Sequence, residues 1–139
     1  MAGERPNFLQ APEMGGVIDP QVSSLEKYYR AIDDKDLATV YSLFSPKIVY
    51  QRGKGEPMKG IRQFRRFYEA PEGRIIASGN HTNLEFASTP SHVEVHGHFS
   101  GVLKNGDAVE VDFIDRFKFN KKGKITTRVT TFPEGQREI

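Results

Sequence analysis

The sequence contains no cysteine. Disulfide staples, thiolate metal sites, cysteine nucleophiles and thiol redox chemistry are thereby excluded. No run approaches the roughly 18 consecutive apolar residues that a bilayer-spanning helix needs. Residues 1–19 lack the apolar core, about 7–15 residues long, of a secretory signal. An excess of one charge sign is missing too: 20 Lys and Arg stand against 18 Asp and Glu, a formal net charge of +2. That balance argues against a dedicated nucleic-acid binder or a polybasic membrane protein, despite a sequence pI near 8.9. The expectation is a cytoplasmic protein with no nucleic-acid and no membrane partner.

What is present suits one domain. The chain has 139 residues, 37% of them hydrophobic, enough to bury a core and still shape a pocket. Residues 1–19, with Pro6, Pro12, Gly15 and Gly16, read as a flexible arm; the domain is expected over residues 20–139. Asp19-Pro20 opens a helix as cap and first-turn proline. Val22, Leu25, Tyr28, Tyr29 and Ile32 then fall on one helical face. Asp36 caps a second helix that Pro46 is expected to end. Ile48-Val49-Tyr50 reads as a short strand, and Gly60 precedes a third helix carrying Phe64, Phe67 and Tyr68. Runs rich in Val, Ile, Phe and Thr near 75–88, 92–104, 107–119 and 125–132 read as strands. Helices followed by an antiparallel meander make an α+β layout. The expected shape is a cone-like roll, three N-terminal helices packed in a curved, mixed, mainly antiparallel sheet whose mouth takes a ligand.

Asn105-Gly106 between two strand runs predicts a two-residue type I′ hairpin. Lys104 would then oppose Asp107, and His96 would oppose Asp115. Val109, Val111, Phe113, Phe117 and Phe119 form one alternating face with Asp115 among them. A carboxylate there is costly unless protonated, paired or hydrogen-bonded. In this register His96 and His98 share its face, an Asp–His cluster suited to acid–base chemistry. A one-residue slip would move both rings to the other face. Val93, Val95, Phe99 and Leu103 would make the opposite face apolar as well, which predicts a homodimer through the outer sheet surface.

The stretch Ile114-Asp115-Arg116-Phe117-Lys118-Phe119-Asn120-Lys121-Lys122-Gly123-Lys124-Ile125 resembles the penultimate hairpin of bacterial ketosteroid isomerases, I-D-H-F-R-F-N-x-x-G-K-V. Tyr28, Asp36-Leu37, Leu43-Phe44, Gly60 and Phe67-Tyr68 keep that family's order, so the resemblance spans about residues 22–132. The wider superfamily includes SnoaL-like polyketide cyclases, scytalone dehydratase, limonene epoxide hydrolase and nuclear transport factor two. The resemblance implies an oxyanion hole of Tyr28 and Asp115, the acid kept neutral in the family by an apolar site. It also implies that Tyr68 supports Tyr28 and that Phe132 forms an aromatic wall. The family's general base falls on Arg52, which cannot serve as one. A steroid double-bond isomerase is therefore not implied.

Three functions are weighed. The favoured one is a cofactor-independent cyclase, isomerase or dehydratase acting on a small, partly hydrophobic, polyketide-like carbonyl or hydroxyl compound. His96 or His98 would move the proton, held by Asp115; Tyr28 would face the oxyanion; Arg52 would orient the substrate or pair with Asp115 or Glu56. Tyr50, Tyr68, Ser100, Phe113, Phe117, Arg128, Thr130 and Phe132 are the expected substrate-binding residues, and the inward cations would keep Asp115 ionised. The second is a non-catalytic ligand- or partner-binding module of the same fold. The third, less favoured, is a metal site of His81, His96, His98 and Asp115; no metal is expected. No dinucleotide or phosphate-loop pattern occurs, so no cofactor is expected either.

Overall fold

A computed structural model describes residues 8–10 and 19–139. Three helices, α1 (Pro20–Asp33), α2 (Leu37–Ser42) and α3 (Gly60–Glu69), lie against one open sheet. Its strands are β1 (Phe8–Gln10), β2 (Phe44–Arg52), β3 (Met58–Lys59), β4 (Ile76–Ser88), β5 (Val93–Leu103), β6 (Ala108–Phe119) and β7 (Ile125–Thr131), in the order β1-β4-β5-β6-β7-β2-β3. Every pairing is antiparallel except β2 with β7. This is the α+β roll the sequence predicts. Of the expected arm, Phe8–Gln10 pairs with the outer edge of β4; residues 1–7 and 11–18 lie outside the described residues. No described helix is long and apolar enough to cross a membrane.

The helix starts follow from local chemistry. Asp19 Oδ1 accepts from the amides of Gln21 and Val22 at 2.8 and 3.2 Å, with Pro20 in the first turn. Asp36 accepts from the Thr39 amide at 3.2 Å. These caps satisfy amides that a helix leaves unpaired, each worth about 1 kcal/mol. The apolar stripe of α1 (Val22, Leu25, Tyr28, Tyr29 and Ile32) is fully buried. Pro46 does not terminate a helix; it lies inside β2, in the irregular stretch between Phe44 and Val49 where the ladder to β7 is interrupted. A proline costs no ladder bond there.

The β5–β6 hairpin departs from expectation by one residue. The Gly106 amide donates to the Leu103 carbonyl at 2.9 Å, and the Leu103 amide to the Asp107 carbonyl at 2.8 Å. Gly106 has φ +94°, and Asn105 is not left-handed. The loop therefore has three residues, a type I turn closed by a left-handed glycine, rather than a type I′ turn, which needs positive φ at both central residues. Asn120–Lys124 closes in the same way, with Gly123 at φ +79°. One extra loop residue reverses the facing relation between the strands. Val95 opposes Asp115, Gly97 opposes Phe113, and His98 opposes Asp112.

The apolar sides of β5 and β6 thus coincide. Val93, Val95, Phe99 and Leu103 join Val109, Val111, Phe113 and Phe117 in the core. At Gly97 a Cβ would come within 2.5 Å of the Phe113 ring, so only glycine lets that ring lie flat on the neighbouring strand. His96, His98 and Ser100 take the outer face, among Glu94, Glu110, Asp112 and Arg116. The expectation that they point inward is corrected, and the apolar outer surface behind the expected homodimer is absent at these positions.

Candidate functional site

The inner face of the sheet carries a buried polar cluster centred on Asp115. Asp115 is fully buried, and Arg128 and Thr130 nearly so. On β7 Thr130 directly opposes Asp115, and Arg128 lies two residues away on the same face. Tyr29 on α1 donates to Asp115 Oδ2 at 2.6 Å. Thr130 Oγ1 donates to Oδ1. Arg128 Nη2 and Nε reach the two oxygens at 3.1 and 3.4 Å. Burial by itself pushes the Asp115 carboxyl up. The Arg128 guanidinium, with hydrogen bonds from Thr130, Tyr29 and Arg128, outweighs that and holds it below the usual carboxylate value. Asp115 is thus an ionised partner rather than a neutral donor, in line with the inward cations noted in the sequence.

Arg128 also occupies the expected oxyanion hole. Its Nη1 donates to the Tyr28 hydroxyl and, at 3.1 Å, to that of Tyr68. Its guanidinium packs on the rings of Tyr50, Tyr28 and Phe117, with centroids 4.5, 4.9 and 5.6 Å away. The expected Tyr28–Tyr68 contact is present at 2.9 Å. Burial drives the Tyr28 phenol well above its usual value, so it remains protonated. Tyr28 and Asp115 therefore face a resident cation, and both are buried.

A directional hydrogen-bond chain leads outward from this cluster. Arg52 Nη1 donates to the Tyr50 hydroxyl. With the Thr130 proton committed to Asp115, the Tyr50 hydroxyl donates to Thr130 Oγ1 across 3.1 Å. Arg52 Nε donates to the main-chain oxygen of Ile139, the last residue of the sequence. Its guanidinium stands over Phe67 and Phe132, with centroids at 5.3 and 5.6 Å. Neither Asp115 nor Glu56 pairs with it, and among the described residues no Asp or Glu side chain does.

Arg52, Arg128, Thr130, Phe113 and Phe132 line a hollow together with His81, Ile76, Phe99, Val111 and Ile139. Its volume is about 20 Å³, room for roughly one water molecule. Larger depressions lie beside α3. One of about 460 Å³ is lined by Ile61, Arg62, Arg65, Arg66, Glu69 and Ala70, all surface side chains with no buried polar group, whereas the small hollow is lined by buried polar groups.

The hollow's proton-transfer candidate is His81. Its Nδ1 meets Asp33 Oδ1 at 2.6 Å, and its own amide donates to Asp33 Oδ2 at 2.9 Å. Both side chains are mostly buried, 13% and 16% exposed. The ring packs against Phe99, Tyr29 and Phe113, with centroids at 5.0, 5.1 and 5.4 Å. An ionised Asp33 takes the Nδ1 proton, which leaves Nε2 as the ring's acceptor. Residue 81 is visible in the sequence, but the irregular register between Thr82 and Glu85, with Asn83 at φ +54°, defeats a parity argument. Nothing in the sequence links residue 33 to residue 81. The docking of α1 on β4 makes that pair.

The expected residues thus divide into three groups. Arg52, Phe113, Arg128, Thr130 and Phe132 line the hollow. Tyr28, Tyr50, Tyr68, Asp115 and Phe117 lie behind it, in the core or at its edge. His96, His98 and Ser100 are on the opposite side of the sheet. His81, His96, His98 and Asp115 do not converge, and among the described residues no group of three or more His, Asp or Glu is placed to hold a metal ion.

The sequence profile of the SnoaL-like domain matches residues 25–128. No functionally curated protein matches. Solved structures do. A protein of unknown function described as NTF2-like, from Burkholderia pseudomallei, is 19% identical with a TM-score of 0.74, covering 83% of this chain and 92% of its own. A candidate polyketide cyclase from Pseudomonas putida is 16% identical with a TM-score of 0.74, covering 84% and 93%. An epoxide hydrolase described as LEH-like, from Mycobacterium tuberculosis, is 16% identical with a TM-score of 0.68, covering 81% and 82%. Identity this low establishes a common fold and nothing about chemistry. With three quarters of its length matched by that profile, the chain belongs to the SnoaL-like domain family.

Proposed function

We propose that this protein is an acid–base enzyme without a cofactor, acting on a small, partly hydrophobic carbonyl or hydroxyl compound by isomerisation, cyclisation or dehydration. The observation that carries the reading is the His81–Asp33 pair in the aromatic wall of the hollow. A histidine oriented by a carboxylate, with its second nitrogen free to accept, is the arrangement a general base needs. The roles first given to His96 and His98 pass to His81, and the orienting role of Asp115 passes to Asp33. Arg52 supplies positive charge in the lining of the hollow, where negative charge developing on a substrate oxygen is stabilised. Phe99, Phe113 and Phe132 exclude water, and Ile139, which also lines the hollow, moves aside to admit a substrate, since the 20 Å³ present holds about one water molecule. The relatives described as polyketide cyclases and epoxide hydrolase make this class of chemistry the natural comparison.

The test is deuterium exchange of the carbon acid between the carbonyls of benzoylacetone, followed by proton NMR in heavy water. The folded protein is expected to accelerate exchange. His81→Gln is expected to reduce the protein-dependent rate by about 10²–10⁴-fold, and Asp33→Asn to reduce it by less. His96→Gln and His98→Gln are expected to leave it unchanged. An exchange rate indifferent to His81→Gln overturns the assignment.

A further inference from the structure

The outer side of β6 carries its charges in a definite order. Strand alternation buries Val109, Val111, Phe113, Asp115 and Phe117 and turns Glu110, Asp112, Ile114, Arg116 and Lys118 outward. Read along the strand, the outward side chains run acid, acid, apolar, base, base. The order is antisymmetric about Ile114. Asp112 and Arg116 flank it at two residues' distance, Glu110 and Lys118 at four. Uncharged side chains continue the same face toward β2. Thr131 opposes Ile114, Val129 opposes Arg116, and Thr127 stands between Lys118 and the exposed Val49. On the β5 side Glu94 opposes Arg116, and His98 opposes Asp112. The bonds within the chain do not exhaust these charges. His98 meets Asp112 Oδ1 and Glu110 Oε1, and Arg116 gives its Nε to Glu94 at 3.0 Å. A carboxylate accepts about four hydrogen bonds and a guanidinium donates about five.

An antisymmetric row of charges is what a two-fold contact between identical surfaces requires. In such a contact residue i meets residue j, and j meets i. Were the axis to run along the strands, each residue would face its own copy, and Glu110 would meet Glu110 and Lys118 would meet Lys118. With the axis across the strands at Ile114, β6 of the second copy runs in reverse. Ile114 then meets its own copy, Asp112 meets Arg116 of the partner subunit, and Glu110 meets Lys118 of the partner subunit, each pair formed twice. Glu94 stands opposite His98 of the partner subunit by the same operation. Packed sheets lie about 10 Å apart, a gap that a long basic side chain and a carboxylate span between them. We infer that the outer face of β6 binds a second copy of this chain about a two-fold axis through Ile114. The expected homodimer rested on an apolar side of β5 that the structure places in the core; this one rests on the charge order of β6. The hollow opens on the other side of the sheet, so the inference stands apart from the proposed catalysis.

The test is sedimentation equilibrium of the full chain, with circular dichroism to verify that each variant is folded. At about 100 μM and low salt the mass is expected to approach twice the 15.7 kDa of one chain. Glu110→Lys alone and Lys118→Glu alone each set like charges against each other twice, and each is expected to raise the dissociation constant at least about tenfold. The variant carrying both changes keeps the antisymmetric order and is expected to associate like the wild type. An equal mixture of the two single variants is expected to form a mixed dimer, since both of its contacts then join opposite charges. Ile114→Lys, which sets two charges face to face on the axis, is expected to dissociate the dimer. Raising the salt from about 0.05 M to 0.5 M is expected to weaken association several-fold. Should a reversal unfold the chain, Glu110→Gln and Lys118→Gln serve in its place, each with a several-fold weakening. A monomer at about 100 μM, association indifferent to the single reversals, or a mixture no tighter than its components would each overturn the inference.

Discussion

The two faces of the β5–β6 hairpin carry similar charges to opposite effect. On the outer face His98 meets Asp112 and Glu110 at 2.8 and 3.0 Å, and Arg116 meets Glu94 at 3.0 Å. On the inner face Arg128 meets Asp115 at 3.1 Å. Distances alone do not separate them; burial does. The outer acids facing His98 are largely exposed, at 62% and 73%, whereas Arg128 and Asp115 expose 4% and nothing. Exposed pairs are screened by water and contribute little. A buried pair must offset the removal of two ions from water, and it does so here because both Asp115 oxygens and all three Arg128 nitrogens have hydrogen-bond partners, Tyr29, Thr130, Tyr28 and Tyr68 among them. Among the described residues no buried side-chain polar atom is left without a partner.

The largest expected effect breaks the inner pair on one side. Arg128→Met strands a buried carboxylate and should lower the urea-unfolding free energy by about 3–5 kcal/mol. Adding Asp115→Asn should recover a good part of that loss, because the stranded charge is then gone. A loss below about 1 kcal/mol in the single variant would show that the inner pair behaves like the outer ones.

Acid should expose the same asymmetry. The Asp115 carboxyl is lowered in the folded protein from a usual value of 3.8, so its contribution is full above that value. The contribution is lost as pH falls below it through the folded value. Urea midpoints measured between about pH 5 and pH 2 should fall for the wild type, and fall less steeply for the variant carrying both Arg128→Met and Asp115→Asn. Equal slopes would contradict the assignment of this acid sensitivity to Asp115.

The smallest effect belongs to the outer face. His98→Gln should change stability by no more than about 0.5 kcal/mol. The hydrogen bonds to Asp112 and then Glu110 raise the imidazole above its usual value of 6.5. Its contribution is therefore fully present below that value and is lost as pH rises through the folded value. The difference between wild type and variant should shrink between about pH 6 and pH 9; a difference that grows would reverse the sign of the interaction.

Much of the fold is legible in the chain itself. Asp19 and Asp36 announce their helices because a carboxylate one position before a helix accepts amides the helix leaves unpaired. The strand limits of β4 to β7 follow from β-branched and aromatic runs between turn residues. Pro46 misleads, since a proline reads as a stop unless the interruption of its strand ladder is already known. The candidate site is legible only where strand alternation suffices. Asp115, Arg128 and Thr130 lie inward as expected, and Arg52, Phe113 and Phe132 meet at one hollow. His96, His98 and Ser100 fail together, because a single choice of turn at Lys104-Asn105-Gly106 decides the facing of the entire strand.

By itself the sequence determined which residues share a face of each strand and where each helix begins, because alternation and capping act over two to four neighbouring residues. Only the tertiary structure decided which faces meet, that Asp33 grips His81, that Arg128 fills the space between Tyr28 and Asp115, and that Ile139 meets Arg52 at the hollow. Those contacts join residues 13 to 100 positions apart. Their partners are chosen by how the layers close over one another, a matter of volume and burial that no local pattern encodes.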